Sequence, residues 1–142
     1  MLNVYKKFDK PKTLSPPKVS DNNVEFVYDY VMDILKKRLP EAEPYFMKNR
    51  RYAYGYARYI IKRRWPEAED VIIKDPEHAY YYARSVIKGR WQEAEPTIMN
   101  CAIYSLLYAR DVIKGRWPEA EQNIKADKHV WYAYKRQFGI EE

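Results

Sequence analysis

Arg64-Trp65-Pro66-Glu67-Ala68-Glu69 decides the fold, because the chain repeats it. Leu39-Pro40-Glu41-Ala42-Glu43 precedes it, and Trp91-Gln92-Glu93-Ala94-Glu95 and Trp117-Pro118-Glu119-Ala120-Glu121 follow. Leu39, Trp65, Trp91 and Trp117 stand 26 residues apart without a slip. A fixed period of that size means stacked supersecondary units, each unable to bury its apolar face alone.

Working outward, each unit reads as two helices. Proline at the first helical position and two glutamates in the first turn start a short helix B at the quoted stretch. Trp65, Ala68 and Ile72 fall on one face, and Phe46, Ile98 and Ile124 repeat the Ile72 position. A longer helix A lies before the stretch. Its start is marked by Asn23, Asn49, Asp75 and Asp127, which suit a capping position. Cys101 breaks that column, and Asn100 beside it is the expected substitute. Ala53, Tyr56, Ala57, Ile60 and Ile61 form an apolar stripe at helical spacing. The most uniform column is Tyr30, Tyr56, Tyr82, Tyr108 and Tyr134. Helix A closes in a basic turn, Lys88-Gly89-Arg90 and Lys114-Gly115-Arg116, where glycine is expected to take the left-handed conformation. The second unit carries Arg63 there and is expected to stop differently.

The reading is an all-α solenoid of about four and a half helix-turn-helix repeats. Units span about 22–47, 48–73, 74–99, 100–125 and 126–142, after an extended Pro/Lys-rich arm over 1–21. The 142 residues fit one domain. A net charge of +6 and a pI near 9.2 admit an acidic partner, whether protein, nucleic acid or membrane surface. One cysteine, Cys101, rules out a disulfide framework and suits a reducing compartment. No run is long and apolar enough for a membrane span, and the first residues lack a signal-peptide core. The expected location is the cytoplasm.

Residue chemistry gives no catalytic site. The glutamates of the quoted stretch recur in every unit, whereas an active site is needed once. His78, His129 and Cys101 form no metal-binding spacing, and no phosphate loop or nucleophile motif is present. The expectation is a non-enzyme without cofactor or metal. Recognition then lies in two sets of columns. The first is nearly constant: Tyr54, Arg58 and Lys62, then Tyr80, Arg84 and Lys88, then Arg110 and Lys114 beside Leu106, then Tyr132 and Arg136. Stacked, it is either a nucleic-acid track of cations and aromatics or a structural set whose arginines pair with the repeat's glutamates. The second varies between units: Tyr59, Tyr81, Ser85, Leu107 and Asp111. These positions are read as pointing away from the apolar stripe, with Tyr81 and Leu107 exposed as a protein-binding patch.

The pattern Ala-Tyr-x-Tyr-Ala-Arg-x-Val-Ile-Lys-Gly-Arg-Trp-x-Glu-Ala-Glu, running from Ala79 to Glu95, resembles a short tandem repeat in uncharacterised proteins of large tailed bacteriophages. The resemblance implies a phage origin, host cytoplasm, and an accessory role in binding or blocking a host factor such as a defence enzyme. The favoured reading is a protein-binding module with a neutral to acidic partner. Nucleic-acid binding along the Tyr/Arg/Lys ladder and self-assembly of the array are the alternatives.

Overall fold

The computed structural model describes residues 15–141, and these form an all-α solenoid. Helix α1 runs Val24–Tyr30 and continues through a wider turn, Val31–Leu35. Helix α2 covers Pro40–Ala42 and Glu43–Phe46. Then come α3 (Arg50–Tyr56 and Ala57–Ile61), α4 (Pro66–Ile72) and α5 (Pro76–Tyr82 and Ala83–Ile87). They are followed by α6 (Gln92–Ala94 and Glu95–Met99) and α7 (Ala102–Tyr108 and Ala109–Ile113). Helices α8 (Pro118–Lys125) and α9 (Lys128–Phe138) complete the chain. Odd-numbered helices are the long members of the repeat and pack against one another in succession, α3 on α5, α5 on α7 and α7 on α9. The short helices fill the second layer.

The caps follow the sequence with two exceptions. Asn49 accepts from the amides of Arg51 and Tyr52, Asp75 from His78, and Asp127 from His129 and Val130. Asn23 precedes α1, but its side chain is taken by Ser20 and by the Lys18 carbonyl. That pins the chain from Lys18 to Asn23, where the N-terminal arm enters α1, and Val19 packs against the core. Residues 1–14 of the arm lie outside the described residues. In the fourth unit Cys101 itself takes the capping position without a side-chain bond, and Asn100 ends α6 instead of capping α7.

The left-handed residue is not the glycine. Lys36, Lys62, Lys88 and Lys114 hold φ between 54° and 62°, whereas Gly89 and Gly115 lie outside that region. In each unit the lysine amide reaches back five residues, Lys62 to Ala57 at 2.7 Å, and this closes the widened last turn. The second unit therefore stops like the others, and Arg63 takes no strained conformation. Only α9 ends on a left-handed glycine, Gly139, with the Ile140 amide on the Lys135 carbonyl.

Proline explains why helices B differ. Pro44 and Pro96 occupy the fifth helical position in α2 and α6 and have no N–H to give the carbonyls of Pro40 and Gln92. The first turn there is a tighter 3₁₀ turn. Asp70 and Gln122 stand at that position in α4 and α8, which are α-helical from their first residue.

The core repeats with the sequence. Trp65, Trp91 and Trp117 are buried, as are Ala68, Ala94 and Ala120 and the Phe46, Ile72, Ile98, Ile124 column. The tyrosine column joins one unit to the next. The Trp65 amide donates to the Tyr82 hydroxyl at 2.7 Å, and that hydroxyl donates to Glu69 at 2.9 Å. Arg64 clamps the same carboxylate with two bonds of 2.8 Å. The Tyr82 ring meanwhile packs on Trp91 of its own unit, centroids 5.0 Å apart. Tyr56, Tyr108 and Tyr134 repeat the arrangement on the amides of Leu39, Trp91 and Trp117 and on Glu43, Glu95 and Glu121. Arg38, Arg90 and Arg116 supply the guanidinium in turn. At the C-terminal end Trp131 stands where Ala53 and Ala79 stand elsewhere and stacks on Tyr134 at 5.4 Å.

This arrangement sets a pH dependence. Hydrogen bonds from Arg38 and from Arg116 hold Glu43 and Glu121 below the ordinary carboxyl value. Burial pushes Glu69 up, but Arg64 and Tyr82 outweigh it and the net shift is downward. A carboxyl depressed in the folded state contributes stability above its unfolded value, about 4.5, and loses it as pH falls through the folded value. The melting temperature should therefore hold steady from neutral pH to about 5 and fall below about 4.5. Glu69→Gln should flatten that fall in a series of calorimetric scans.

Candidate functional site

The turn arginines and the ladder arginines have different fates. Arg38, Arg64, Arg90 and Arg116 take the repeat's glutamates in bidentate pairs five residues on. Arg58, Arg84 and Arg136 are exposed and, among the described residues, pair with no carboxylate. Each donates instead to the tyrosine four residues before it: Arg58 to Tyr54 at 2.8 Å, Arg84 to Tyr80 at 3.3 Å, Arg136 to Tyr132 at 3.2 Å. Arg110 has Leu106 at that position and turns to Asp111, at 2.7 and 2.9 Å. The expectation that ladder arginines satisfy the repeat's glutamates is thus replaced by a division of labour. The signal was in the sequence: an arginine precedes the Leu/Trp position in all four units, with glutamate five residues later.

Lys62, Lys88 and Lys114 lie four residues past the ladder arginines and are exposed. Among the described residues they make no ion pair. Together these side chains form a cationic edge along the stacked long helices.

The aromatic half of the ladder is discontinuous. Tyr54 is half-buried and Tyr132 is 59 % exposed, but Tyr80 is 1 % exposed and Leu106 is buried. Tyr80 packs beside Tyr81 and Tyr104 at 5.1 and 5.8 Å and donates its hydroxyl to Asp111 of the next unit. Burial first, and then that bond to a carboxylate, push its phenol up to about 12. Bases cannot stack on a ring in that position, so the aromatic row of the alternative nucleic-acid track is interrupted in the middle units.

The variable column also lands elsewhere than expected. Tyr81 and Leu107 are half-buried rather than exposed. Their column faces the seam between consecutive long helices, as Gly55 shows. A Cβ built on Gly55 would meet the Tyr28 hydroxyl at 1.9 Å and its Cζ at 3.2 Å. Tyr28 cannot easily retreat, being packed on Phe46 and Tyr52 at 5.5 and 4.7 Å. Tyr81 fills the seam in the next unit, 6.0 Å from Tyr54. Tyr59, one turn on, is 51 % exposed, with the Arg58 guanidinium 4.8 Å over its ring. Ser85 is half-buried, and Asp111 is held by Arg110 and Tyr80. Arg110 first, and Tyr80 after it, keep the Asp111 carboxyl below the usual carboxylate range against the effect of burial.

A second basic feature lies at the loop edge, where Lys48, Arg50, Arg51, Lys74 and His78 line a shallow pocket. Its charges are partly answered, Arg50 by Asp75 at 3.8 Å and Lys48 by Asp21 at 3.5 Å. Among the described residues no cluster of histidine, cysteine and carboxylates is arranged to hold a metal ion, and no helix is long and apolar enough to cross a membrane. Comparison with protein-family models, curated proteins and solved structures gave no match to the chain.

The seam geometry predicts an inverted glycine effect. Alanine for glycine inside a helix ordinarily gains about 1 kcal/mol. Gly55→Ala should instead lose about 1–3 kcal/mol in urea denaturation through overpacking, and Tyr28→Phe in the same chain should recover part of the loss by removing the clashing hydroxyl.

Proposed function

We propose that the chain is a non-enzymatic repeat scaffold that binds a partner protein with an acidic surface along its cationic edge. One observation carries the reading. Each of four units places lysine, not glycine, in the left-handed position that ends its long helix. A side chain there costs about 1 kcal/mol or more relative to glycine. In units three and four a glycine stands immediately afterwards, so a shift of one residue would relieve the strain. Keeping the lysines at that cost is explained by what their ammonium groups meet outside the chain. Exposed Arg58, Arg84 and Arg136 extend the same edge, and half-buried or exposed tyrosines beside them provide amphipathic contact area of the kind enriched at protein interfaces.

An interrupted aromatic row supports a protein partner over single-stranded nucleic acid, which would need a stacking surface in each unit. The phage resemblance of the Ala79–Glu95 pattern extends the proposal to an accessory role, with a host factor as partner.

The test is capture from nuclease-treated host lysate, using the parent chain and the variant Lys62→Gly, Lys88→Gly, Lys114→Gly. The parent should retain a discrete protein. The variant should melt at the same or a higher temperature, since glycine relieves the left-handed residues, and should release that protein. Loss of all capture by the parent on nuclease treatment would point to nucleic acid instead, and full capture by the lysine-free variant would contradict the cationic-edge reading.

A further inference from the structure

The repeat offers a comparison that a single domain cannot. Between units three and four, the Asp111 carboxylate sits in a seat built from Arg110 of its own helix and the Tyr80 hydroxyl of the preceding one. Arg84 backs the seat through its bond to the same hydroxyl at 3.3 Å. One unit earlier, Tyr54 stands for Tyr80, Arg58 for Arg84 and Arg84 for Arg110. Arg58 already holds the Tyr54 hydroxyl at 2.8 Å. Helices α3 and α5 are packed neighbours, as α5 and α7 are. At the Asp111 position this unit has Ser85, and Arg84, unlike Arg110, has a tyrosine four residues before it and bonds that hydroxyl; His78 and Gly55 stand for Tyr104 and Tyr81 around the seat. Neither Arg58 nor Arg84 has a carboxylate partner among the described residues there.

We infer that Tyr54, Arg58, Arg84 and Ser85 form a seat for a carboxylate supplied by the partner, an aspartate or glutamate side chain of an acidic peptide segment. The chemistry is read from the chain itself: at the neighbouring copy of the seat, a carboxylate takes two guanidinium bonds and one phenol bond. A planar carboxylate matches the fork of an arginine, and charge-assisted bonds of this kind are roughly twice as strong as neutral ones. Ser85 leaves room at the seat where an aspartate would fill it, and its hydroxyl adds a donor. Elsewhere the seat is broken. Met32 takes the place of the first arginine between units one and two, and Leu106 replaces the tyrosine between units four and five. A partner is therefore registered on one step of the array. This inference rests on the protein-binding reading above and narrows it to one contact.

The test titrates the full chain with an oligo-aspartate peptide, following backbone amides and arginine Nε–H groups by NMR. Shifts should concentrate at Ser85 and at the Arg58 and Arg84 side chains. Ser85→Asp fills the seat from within and should weaken the peptide about tenfold, the scale of one lost hydrogen-bonded charge contact. Asp111→Ser should open the second copy, adding shifts at Arg110 and Tyr80. Peptide binding unchanged by Ser85→Asp, or shifts centred elsewhere, would overturn the seat. So would binding of a short single-stranded DNA oligonucleotide at these residues when oligo-aspartate does not bind. If the Ser85→Asp chain still captures the lysate partner fully, the seat is wrong and the protein-binding reading survives. If the parent captures no protein while oligo-aspartate shifts Ser85, the seat stands and the wider reading fails.

Discussion

The amide of Trp65 lies where one helix has ended and the next has not begun, and it is buried. Neither helix can accept from it, and an unmet buried amide is costly. The phenol of Tyr82, from the following unit, accepts from it. Having accepted, the hydroxyl still has a proton to give, and Glu69 takes it. A half-buried carboxylate in turn needs a countercharge, and Arg64 provides it from the exposed side. Each requirement creates the next. Because the phenol comes from the neighbouring unit, the turn within one repeat is completed only when the next repeat is in place. Stacking and local structure are thus one event, which is how units too short to fold alone make a stable array.

The same device sorts the charges. Arginine at the turn is spent on glutamate and disappears from the surface chemistry, although it remains partly exposed. Within the long helices Arg110 turns to Asp111, whereas Arg58, Arg84 and Arg136 bond only tyrosine hydroxyls and stay exposed. A count of cations against carboxylates does not make this distinction, because the two arginine columns carry equal charge. The left-handed lysines sharpen it: a strained position is occupied by a cation four times over, and this is the feature on which the proposed cationic edge rests.

Much of the fold was legible in the sequence, because a repeat states its own alignment. The period, the two helices per unit, the inward Trp65–Ala68–Ile72 face and three of the caps follow from columns alone. What stayed hidden depends on backbone geometry between the columns. Glycine marked the end of the long helix but did not occupy the left-handed residue, since the widened last turn moves that role to the lysine before it. Proline at 44 and 96 signalled a tighter start to α2 and α6, a cue visible without coordinates. The candidate site was less legible. Helical spacing placed the Gly55–Tyr81–Leu107 column on an outer face, yet in a solenoid the flank of each long helix meets its neighbour. Only packing shows that Tyr28 lies across Gly55 and that Tyr80 is buried.

The most direct measurement is hydrogen exchange at the Trp65 amide in the parent chain and in Tyr82→Phe, alongside urea denaturation of both. If the phenol joins the units, the Trp65 amide exchanges in the parent only as slowly as the core of α3 and α5. Tyr82→Phe then strips protection from that amide and lowers stability by about 1–3 kcal/mol, the cost of orphaning a buried donor. A Trp65 amide that exchanges rapidly in the parent, with stability unchanged by Tyr82→Phe, would contradict the account.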